Sequence, residues 1–146
     1  MCLQVYLGSS QEFPEIPYTE RQDHIFVLKR PQLNGYEGKI SLESTYQYRV
    51  GVMTCGCGLS YDTPVGQMDE RTQTYHRQLG EYVRECLLKA EPVEFFCSWS
   101  GDEHLPVEKQ RWITLQDLIA PEFYFEIQQH TVVYKNQTSL QAAKGP

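Results

Sequence analysis

The residues with the clearest chemical potential are two cysteines in a short loop rich in glycine. Cys55 and Cys57 are separated by Gly56 alone, and Gly58 follows. Two thiolates at this spacing can bind one soft metal ion, or can form a strained disulfide that is easily reduced. Zinc sites favour two to four residues between paired cysteines, and the sequence has no second matching pair. Two interpretations therefore stay open: thiol chemistry in this loop, and a tight turn at the end of a strand.

A third cysteine, Cys2, could complete a metal site with this loop. Cys2 lies on the polar side of the first predicted strand, and Cys55 lies on the non-core side of the third. If these two strands are neighbours, Cys2, Cys55 and Cys57 converge on one face. A tetrahedral zinc or iron site would then need a fourth ligand, for which His104 and Cys97 are the candidates.

Cys2 also has an interpretation of its own. Removal of Met1 would leave Cys2 with a free α-amine, the arrangement of the nucleophile in glutamine amidotransferases of the N-terminal-nucleophile class. Many of those chains also begin Met-Cys. Their domains are usually longer than these 146 residues, and no later motif here supplies an oxyanion hole. An N-terminal-nucleophile hydrolase is therefore kept only as a second alternative.

The remaining reactive residue types have simpler interpretations. Cys86 and Cys97 lie on apolar faces of a predicted helix and strand, where a thiol behaves as a small hydrophobic group. Asp102, Glu103 and His104 form a compact cluster that could bind a cation or exchange protons, but the interpretation as an acidic loop tip is favoured. The ten tyrosines of the chain could line a pocket, or could fill a small sheet.

Hydrophobic periodicity predicts the elements that must position these residues. One long amphipathic helix is expected over 69–91, with Asp69 as its N-cap and Pro92 ending it. Alternating apolar positions predict strands over 3–7, 24–29, 45–54, 93–99 and 123–135, with a short strand at 112–113 and a helical turn at 114–119. Because most connections are too short for helical crossovers, we predict an α+β fold: a mostly antiparallel sheet of about five strands with the helix packed on one face.

The last predicted strand has an irregular pattern. Its apolar face changes parity, which predicts a bulge or a second strand near 128–130. Residues after about Asn136 show no pattern and are expected to fray. No composition shift divides the chain, so residues 1–146 are expected to form a single domain.

Charge and composition limit the function classes. Nineteen acidic against thirteen basic residues give a net charge of −6 and a pI near 5.2. Nucleic-acid binding needs clustered Lys and Arg, whereas the longest basic run is Lys29-Arg30. No apolar run approaches the roughly 18 residues of a membrane span. Five cysteines without a secretory signal are typical of reduced thiols, so we expect a cytosolic protein with neither nucleic acid nor membrane as a partner.

Several short segments together resemble a known group of proteins. The segments are Met1-Cys2-x-x-Val5-Tyr6-Leu7, then Cys55-Gly56-Cys57-Gly58, then 99–103. They are similar to small bacterial proteins that begin Met-Cys-x-x-Val-Tyr-Leu and carry a Gly-Cys-Gly-Cys-type loop; here Thr54 precedes the first loop cysteine. The resemblance spans residues 1 to about 127. It implies a bacterial cytosolic origin and no particular activity.

The sequence therefore favours a small domain without a complete enzyme active site. Its expected function is the binding of a small ligand or a protein partner, with a homodimer through an exposed sheet edge as one form of partnership. The alternatives are a thiol redox or soft-metal protein that uses Cys55 and Cys57, and the hydrolase that uses Cys2.

Overall fold

The computed structural model describes residues 2–21, 23–30, 40, 42–52 and 56–145. In chain order the elements are β1 (Leu3–Ser9), β2 (Phe26–Lys29), β3 (Tyr46–Gly51), α1 (Glu70–Lys89), β4 (Val93–Trp99), β5 (Lys109–Thr114), α2 (Leu115–Ile119), β6 (Gln129–Tyr134) and α3 (Gln137–Lys144). Within these residues no helix is long and apolar enough to cross a membrane.

The strands form one six-stranded sheet in the order β2-β3-β1-β4-β6-β5. Every neighbouring pair is antiparallel except β5 and β6, which are parallel. The predicted α+β class with a mostly antiparallel sheet is confirmed. The sixth strand is β5, which the sequence marked only as a short strand at Trp112 and Ile113.

The main core lies between the sheet and α1. Alternate residues of β1, β3 and β4 face this core, as their period-two pattern predicts. The core residues of these three strands are Leu3, Val5, Leu7, Tyr48, Val50, Val93, Phe95 and Cys97, and those of α1 are Tyr75, Leu79, Tyr82, Val83, Cys86 and Leu87.

The opposite face of the sheet is also partly covered. Tyr6 of β1 and Phe96 of β4 are buried there against Leu42, with Ile40 packed on the same group. The alternation in β1 predicted a half-buried strand with Tyr6 on its polar side. Instead the segment that leads into β3 covers Tyr6, and this second, smaller cluster forms one wall of the site described below.

Local signals explain where α1 begins and ends. Asp69 is the N-cap, and its side chain accepts a hydrogen bond from the backbone N–H of Thr72. Ala90 is the C-cap, and Pro92 follows it. The helix therefore spans nearly the whole predicted range of 69–91.

The chain around Gln128 explains the change of parity predicted there. Gln128 has a positive φ of 56°, and the strand β6 begins only at the next residue. Before it, Phe125 forms a single bridge with Tyr61 rather than part of a strand. The predicted strand over 123–135 is thus divided at Gln128, and only its second half joins the sheet.

The end of the chain differs from the prediction of a frayed tail after Asn136. Residues Gln137–Lys144 form α3, and the Asn136 side chain caps it by accepting a hydrogen bond from the backbone N–H of Ser139. Leu140 is the buried residue of α3, and the helix packs against β5 and β6. An eight-residue helix with one anchoring leucine is too short to give a detectable apolar period.

Candidate functional site

The cysteine loop lies against the start of β1. Cys57 is exposed in a 3-10 turn over Gly56–Gly58, and Cys2 is exposed just before β1. Gly56 allows the contact, because a Cβ there would lie 2.9 Å from Cγ2 of Val5 and 3.2 Å from the carbonyl oxygen of Leu3. Strands β1 and β3 are neighbours, as the predicted convergence of the thiols requires. Cys55 lies outside the described residues.

The two candidates for a fourth ligand have different surroundings. Cys97 faces the main core, and burial raises the pKa of its thiol to about 12, so it is the small core residue that the apolar pattern predicted. His104 is exposed in the loop after β4. Across the described part of the chain, no group of three His, Cys, Asp or Glu side chains could hold a metal ion. Because Cys55 is not part of that set, the zinc or iron site stays a prediction.

The acidic cluster at 102–104 is tied to the sheet through Glu103. Tyr6 donates a hydrogen bond of 3.1 Å to Oε1 of Glu103, and the backbone N–H of Gly101 donates one of 2.9 Å to Oε2. Burial, and then the charge of Glu103, raise the pKa of the Tyr6 hydroxyl. Both oxygens of Glu103 therefore already accept hydrogen bonds from the protein.

The tyrosines that could line a pocket are separated by the fold. Tyr48 is buried in the main core, and its hydroxyl accepts a hydrogen bond of 2.7 Å from the backbone N–H of Phe13. Tyr6 lies on the opposite face of the sheet, and Tyr61 packs edge-on against Trp99. These contacts fit the interpretation in which tyrosines fill a small sheet.

A polar network that the sequence did not predict lies on the sheet face opposite α1. His130 Nε2 donates a hydrogen bond of 3.0 Å to Oε1 of Glu94. Gln110 Nε2 lies 2.8 Å from His130 Nδ1 and donates to it. The hydroxyl of Ser44 donates to the second oxygen of Glu94. These contacts assign the imidazole proton of His130 to Nε2. They connect four segments of the chain through Ser44, Glu94, His130 and Gln110, in that order.

Strand register brings this network together. Phe96 of β4 lies opposite His130 of β6, and Glu94 lies opposite Val132, so Glu94 and His130 are diagonal neighbours. Gln110 of β5 lies directly beside His130. Glu94 and His130 are 36 positions apart in the chain. The alternation of β4 does place Glu94 on the face away from the core, and this was the one available sequence signal.

The network forms the floor of a cavity of about 440 Å³. Its apolar walls are Ile40, Leu42 and Val107. Glu43 stands at the rim and is exposed. Glu94 also lines a second cavity of about 320 Å³, together with Ser44. The volume of the first cavity falls within the range of small-molecule pockets, which are mostly apolar with a few placed polar groups.

Glu94 is the charged group of the floor. The hydrogen bond from His130 lowers the pKa of this carboxyl against the opposing effect of burial, and the bond from Ser44 lowers it further. Its side chain is 19% exposed and that of His130 is 14% exposed. Glu94 therefore carries a full negative charge at neutral pH in a half-buried position.

The geometry offers binding chemistry rather than a nucleophile. In a serine-histidine-acid triad the imidazole contacts the serine hydroxyl and takes its proton. Here the carboxylate of Glu94 lies between Ser44 and His130, so the imidazole does not contact the hydroxyl. A carboxylate with a lowered pKa is also a weak base.

Comparisons with protein-family models, with curated proteins and with solved structures found no match to this chain. The resemblance to the small bacterial proteins therefore stays a prediction.

Proposed function

We propose that this protein is a non-enzymatic, cytosolic binding domain whose ligand is a small organic cation held in the cavity above Glu94 and His130. The observation that carries the proposal is the half-buried, ionised carboxylate of Glu94 at the floor of that cavity. A charge in such a position is stabilised further by an opposite charge brought in by a ligand.

The charge of the lining favours a cation. Glu94 and Glu43 both contribute carboxylates, and the described residues that line the cavity include neither Lys nor Arg. An anionic ligand would have to approach Glu94 against repulsion at low dielectric, whereas an ammonium or guanidinium group would be attracted. The acidic pI of the whole chain acts in the same direction at long range.

The walls favour a ligand with an apolar part. Ile40, Leu42 and Val107 face the cavity above its polar floor. Register also places Trp112 in the same cross-strand row as Glu94, with Val132 between them, and Trp112 is 44% exposed. Two strand spacings, about 10 Å, separate Trp112 from Glu94, so the ring flanks the cavity and does not line it. A primary amine joined to a short hydrophobic group fits both the acidic floor and the apolar walls.

A matched pair of probes tests this charge preference. Phenethylammonium and 3-phenylpropionate have similar shapes and opposite charges, and each can be titrated by calorimetry at constant ionic strength. We expect saturable 1:1 binding of the amine with a Kd of about 1 mM, as suits a probe of this size. The carboxylate should bind at least about tenfold more weakly.

Two variants locate the binding. Glu94→Gln should weaken phenethylammonium binding at least about tenfold, because it removes the charge and keeps the shape. Glu85→Gln is the control, since Glu85 is exposed on α1 and is not part of the cavity. Equal binding of the two probes, or equal loss in both variants, would contradict the proposal.

The cysteine loop supports a second candidate, a thiol redox or soft-metal function. The observation in its favour is the packing of Gly56 on the start of β1, which holds Cys57 and Cys2 on adjacent segments. Zinc or iron near one equivalent by elemental analysis, lost in Cys57→Ser, would support the metal form. Alkylation by iodoacetamide well below pH 8.5 would support the redox form. Metal-free protein with ordinary thiol reactivity would contradict both.

A further inference from the structure

A buried glutamine, Gln128, lies where the elements around the Glu94 cavity meet. The loop over 100–108 joins β4 to the edge strand β5, and it passes the start of β6, which lies between them in the sheet. Gln128 directly precedes β6 and is 4% exposed. It does not itself line the cavity, but it lies beside the loop that carries the Val107 wall.

The main chain of Gln128 ties the start of β5 to the end of β4. Its N–H donates a hydrogen bond of 2.8 Å to the carbonyl oxygen of Cys97, and its carbonyl oxygen accepts one of 2.8 Å from the N–H of Glu108. The strand β5 therefore begins in a fixed register. That register places Gln110 beside His130 at the floor of the cavity.

The side-chain amide of Gln128 holds the loop itself. Its Nε2 donates hydrogen bonds of 3.2 Å and 3.0 Å to the carbonyl oxygens of Leu105 and Pro106. Val107 comes next in the chain, so it is bracketed by these bonds and by the bond from Glu108. Because the peptide groups on both sides of Val107 are fixed to one residue, the wall is held in place relative to the cavity floor.

Two features of Gln128 oppose stability. Its φ of 56° lies in the left-handed region, which glycine adopts with less strain than other residues. Its Oε1 is buried and has no hydrogen-bond partner in the described part of the chain, which costs free energy. A glycine would avoid both costs but could not hold the loop. Residues that are strained or incompletely satisfied in this way are found most often at functional sites.

We infer that Gln128 is a positioning residue for the cation cavity: by holding the Val107 wall, it makes the cavity prefer amines with an apolar group over small amines. The inference rests on the proposed function, since it concerns the same site. A small amine needs only the carboxylate of Glu94, whereas a longer amine also packs on the wall. That packing contributes most affinity when the wall is in place before the ligand arrives. The residue that fixes Val107 therefore controls the apolar part of the affinity and not the ionic part.

Two amines separate the floor from the wall. Ethylammonium can pair with Glu94 but has little apolar surface, and phenethylammonium adds a ring. NMR titrations that follow the ring signals of His130 report binding even at a Kd of about 10 mM, as suits a ligand of so few atoms. Gln128→Met keeps the length of the side chain and cannot donate to the loop. We expect it to weaken phenethylammonium about three- to tenfold and to change ethylammonium by less than about twofold.

Gln129→Met is the matched control. Gln129 is the next residue, is also buried, and also has an Oε1 without a partner among the described residues. Its Nε2 donates to Glu126 at 3.3 Å instead of to the loop, and it does not line the cavity. Gln129→Met should therefore leave the affinities for both amines within about twofold of the wild type.

Stability and coupling distinguish positioning from a general structural role. The urea midpoint of Gln128→Met should lie within about 0.5 M of the wild type, because the loss of two hydrogen bonds is opposed by removal of the unpaired oxygen. Val107→Ala removes the wall itself and should weaken phenethylammonium to a similar extent. Since Val107 is 37% exposed, this variant leaves the core intact. Adding Gln128→Met to Val107→Ala should have no further effect if Gln128 acts through Val107.

Failure of the inference and failure of the proposed function give different results. If neither amine binds the wild type, the proposed cation site is contradicted and the inference is overturned with it. If both amines bind but Gln128→Met weakens them equally or weakens neither, only the inference is overturned. An equal effect of Gln129→Met, additive losses in the double variant, or a Gln128→Met chain that does not fold would also overturn it.

Discussion

At the scale of single residues, the proposed cation binding depends on one carboxylate. Glu94 accepts hydrogen bonds from Ser44 and His130, and these keep it ionised in a half-buried place. Its pKa is lowered on folding, so its charge stabilises the protein above the ordinary glutamate value of about 4.3. That contribution is lost as the pH falls through the lowered pKa.

Glu94→Gln should therefore destabilise the protein most at neutral pH. We expect it to lower the free energy of unfolding by about 1–3 kcal/mol at pH 7, because one of its two hydrogen-bond partners then loses a charged acceptor. The difference from wild type should shrink as the pH falls below about 4.3, where unfolded glutamate is itself protonated. Urea unfolding of the wild type and of Glu94→Gln, at pH 7 and at about pH 3.5, measures the difference in unfolding free energy at each pH. A difference that is larger at the lower pH would contradict a lowered pKa for Glu94.

The cysteines give a second prediction at this scale. Burial raises the pKa of Cys86 and that of Cys97 to about 12 each, and both thiols lie in the core. Cys2 and Cys57 are exposed. Iodoacetamide at pH 8 should therefore label Cys2 and Cys57 in the native protein and spare Cys86 and Cys97 until denaturant is added. Peptide mass spectrometry reads the labelled positions, and native labelling of Cys97 would contradict the core assignment.

The sequence predicted the positions of the core cysteines but not the contact between Glu94 and His130. The core role of Cys86 and Cys97 follows from local periodicity, which one segment displays by itself. The contact of Glu94 with His130 depends on the register of two strands, and register is set by the whole sheet. No local pattern in the sequence links His130 to Glu94.

At the scale of elements, the helices show the same difference between local patterns, which the sequence displays, and long-range packing, which it does not. The sequence predicted α1 because twenty residues display an apolar stripe and a capping aspartate. It predicted one helical turn over 114–119, where α2 forms; the capping box between Thr114 and Asp117 that starts α2 is a finding of the structure. It did not predict α3, whose stability comes from the burial of Leu140 rather than from a repeating pattern.

The contact between α1 and α2 predicts the effect of a substitution at Gly80. In an exposed helix Gly→Ala stabilises by about 0.5–1 kcal/mol. Here the new methyl group would lie 2.6 Å from Cγ2 of Ile119, so we expect a net loss of about 1–2 kcal/mol. Urea unfolding measures the change.

A double variant provides the control for this prediction. Gly80→Ala combined with Ile119→Ala removes the side chain that the new methyl group meets, so the coupling energy between the two substitutions should be favourable. Stabilisation by Gly80→Ala alone would show that α1 and α2 do not approach as closely as described.

At the scale of the whole molecule, the two faces of the sheet differ in chemistry. The face opposite α1 carries the acidic cavity, and the outer side of α1 carries a groove that Arg77 and Arg84 line.

The predicted homodimer would form through an exposed edge of the sheet. The β2 edge is partly occupied, since Ile16 and Val27 exchange two backbone hydrogen bonds of 2.9 Å. The β5 edge carries the exposed Trp112 and is therefore the candidate surface.

The homodimer prediction then has a specific form. Sedimentation velocity between about 10 μM and 1 mM should show self-association of the wild type, in the range of weak pairs. Trp112→Ser should shift the protein toward the monomer, because it removes the large apolar side chain at that edge. Leu88→Ser is the control, since Leu88 is 73% exposed on α1. A monomeric wild type at every concentration would contradict the prediction.

An NMR titration shows whether a small cation binds above Glu94 and His130. Two-dimensional NMR of ¹⁵N-labelled protein with phenethylammonium reports which groups sense the ligand. We expect saturable shifts of the Gln110 side-chain amide and the His130 ring signals, with little change at His76 on the other side of the molecule. Shifts concentrated elsewhere, or an equal response to 3-phenylpropionate, would contradict the proposed cation binding.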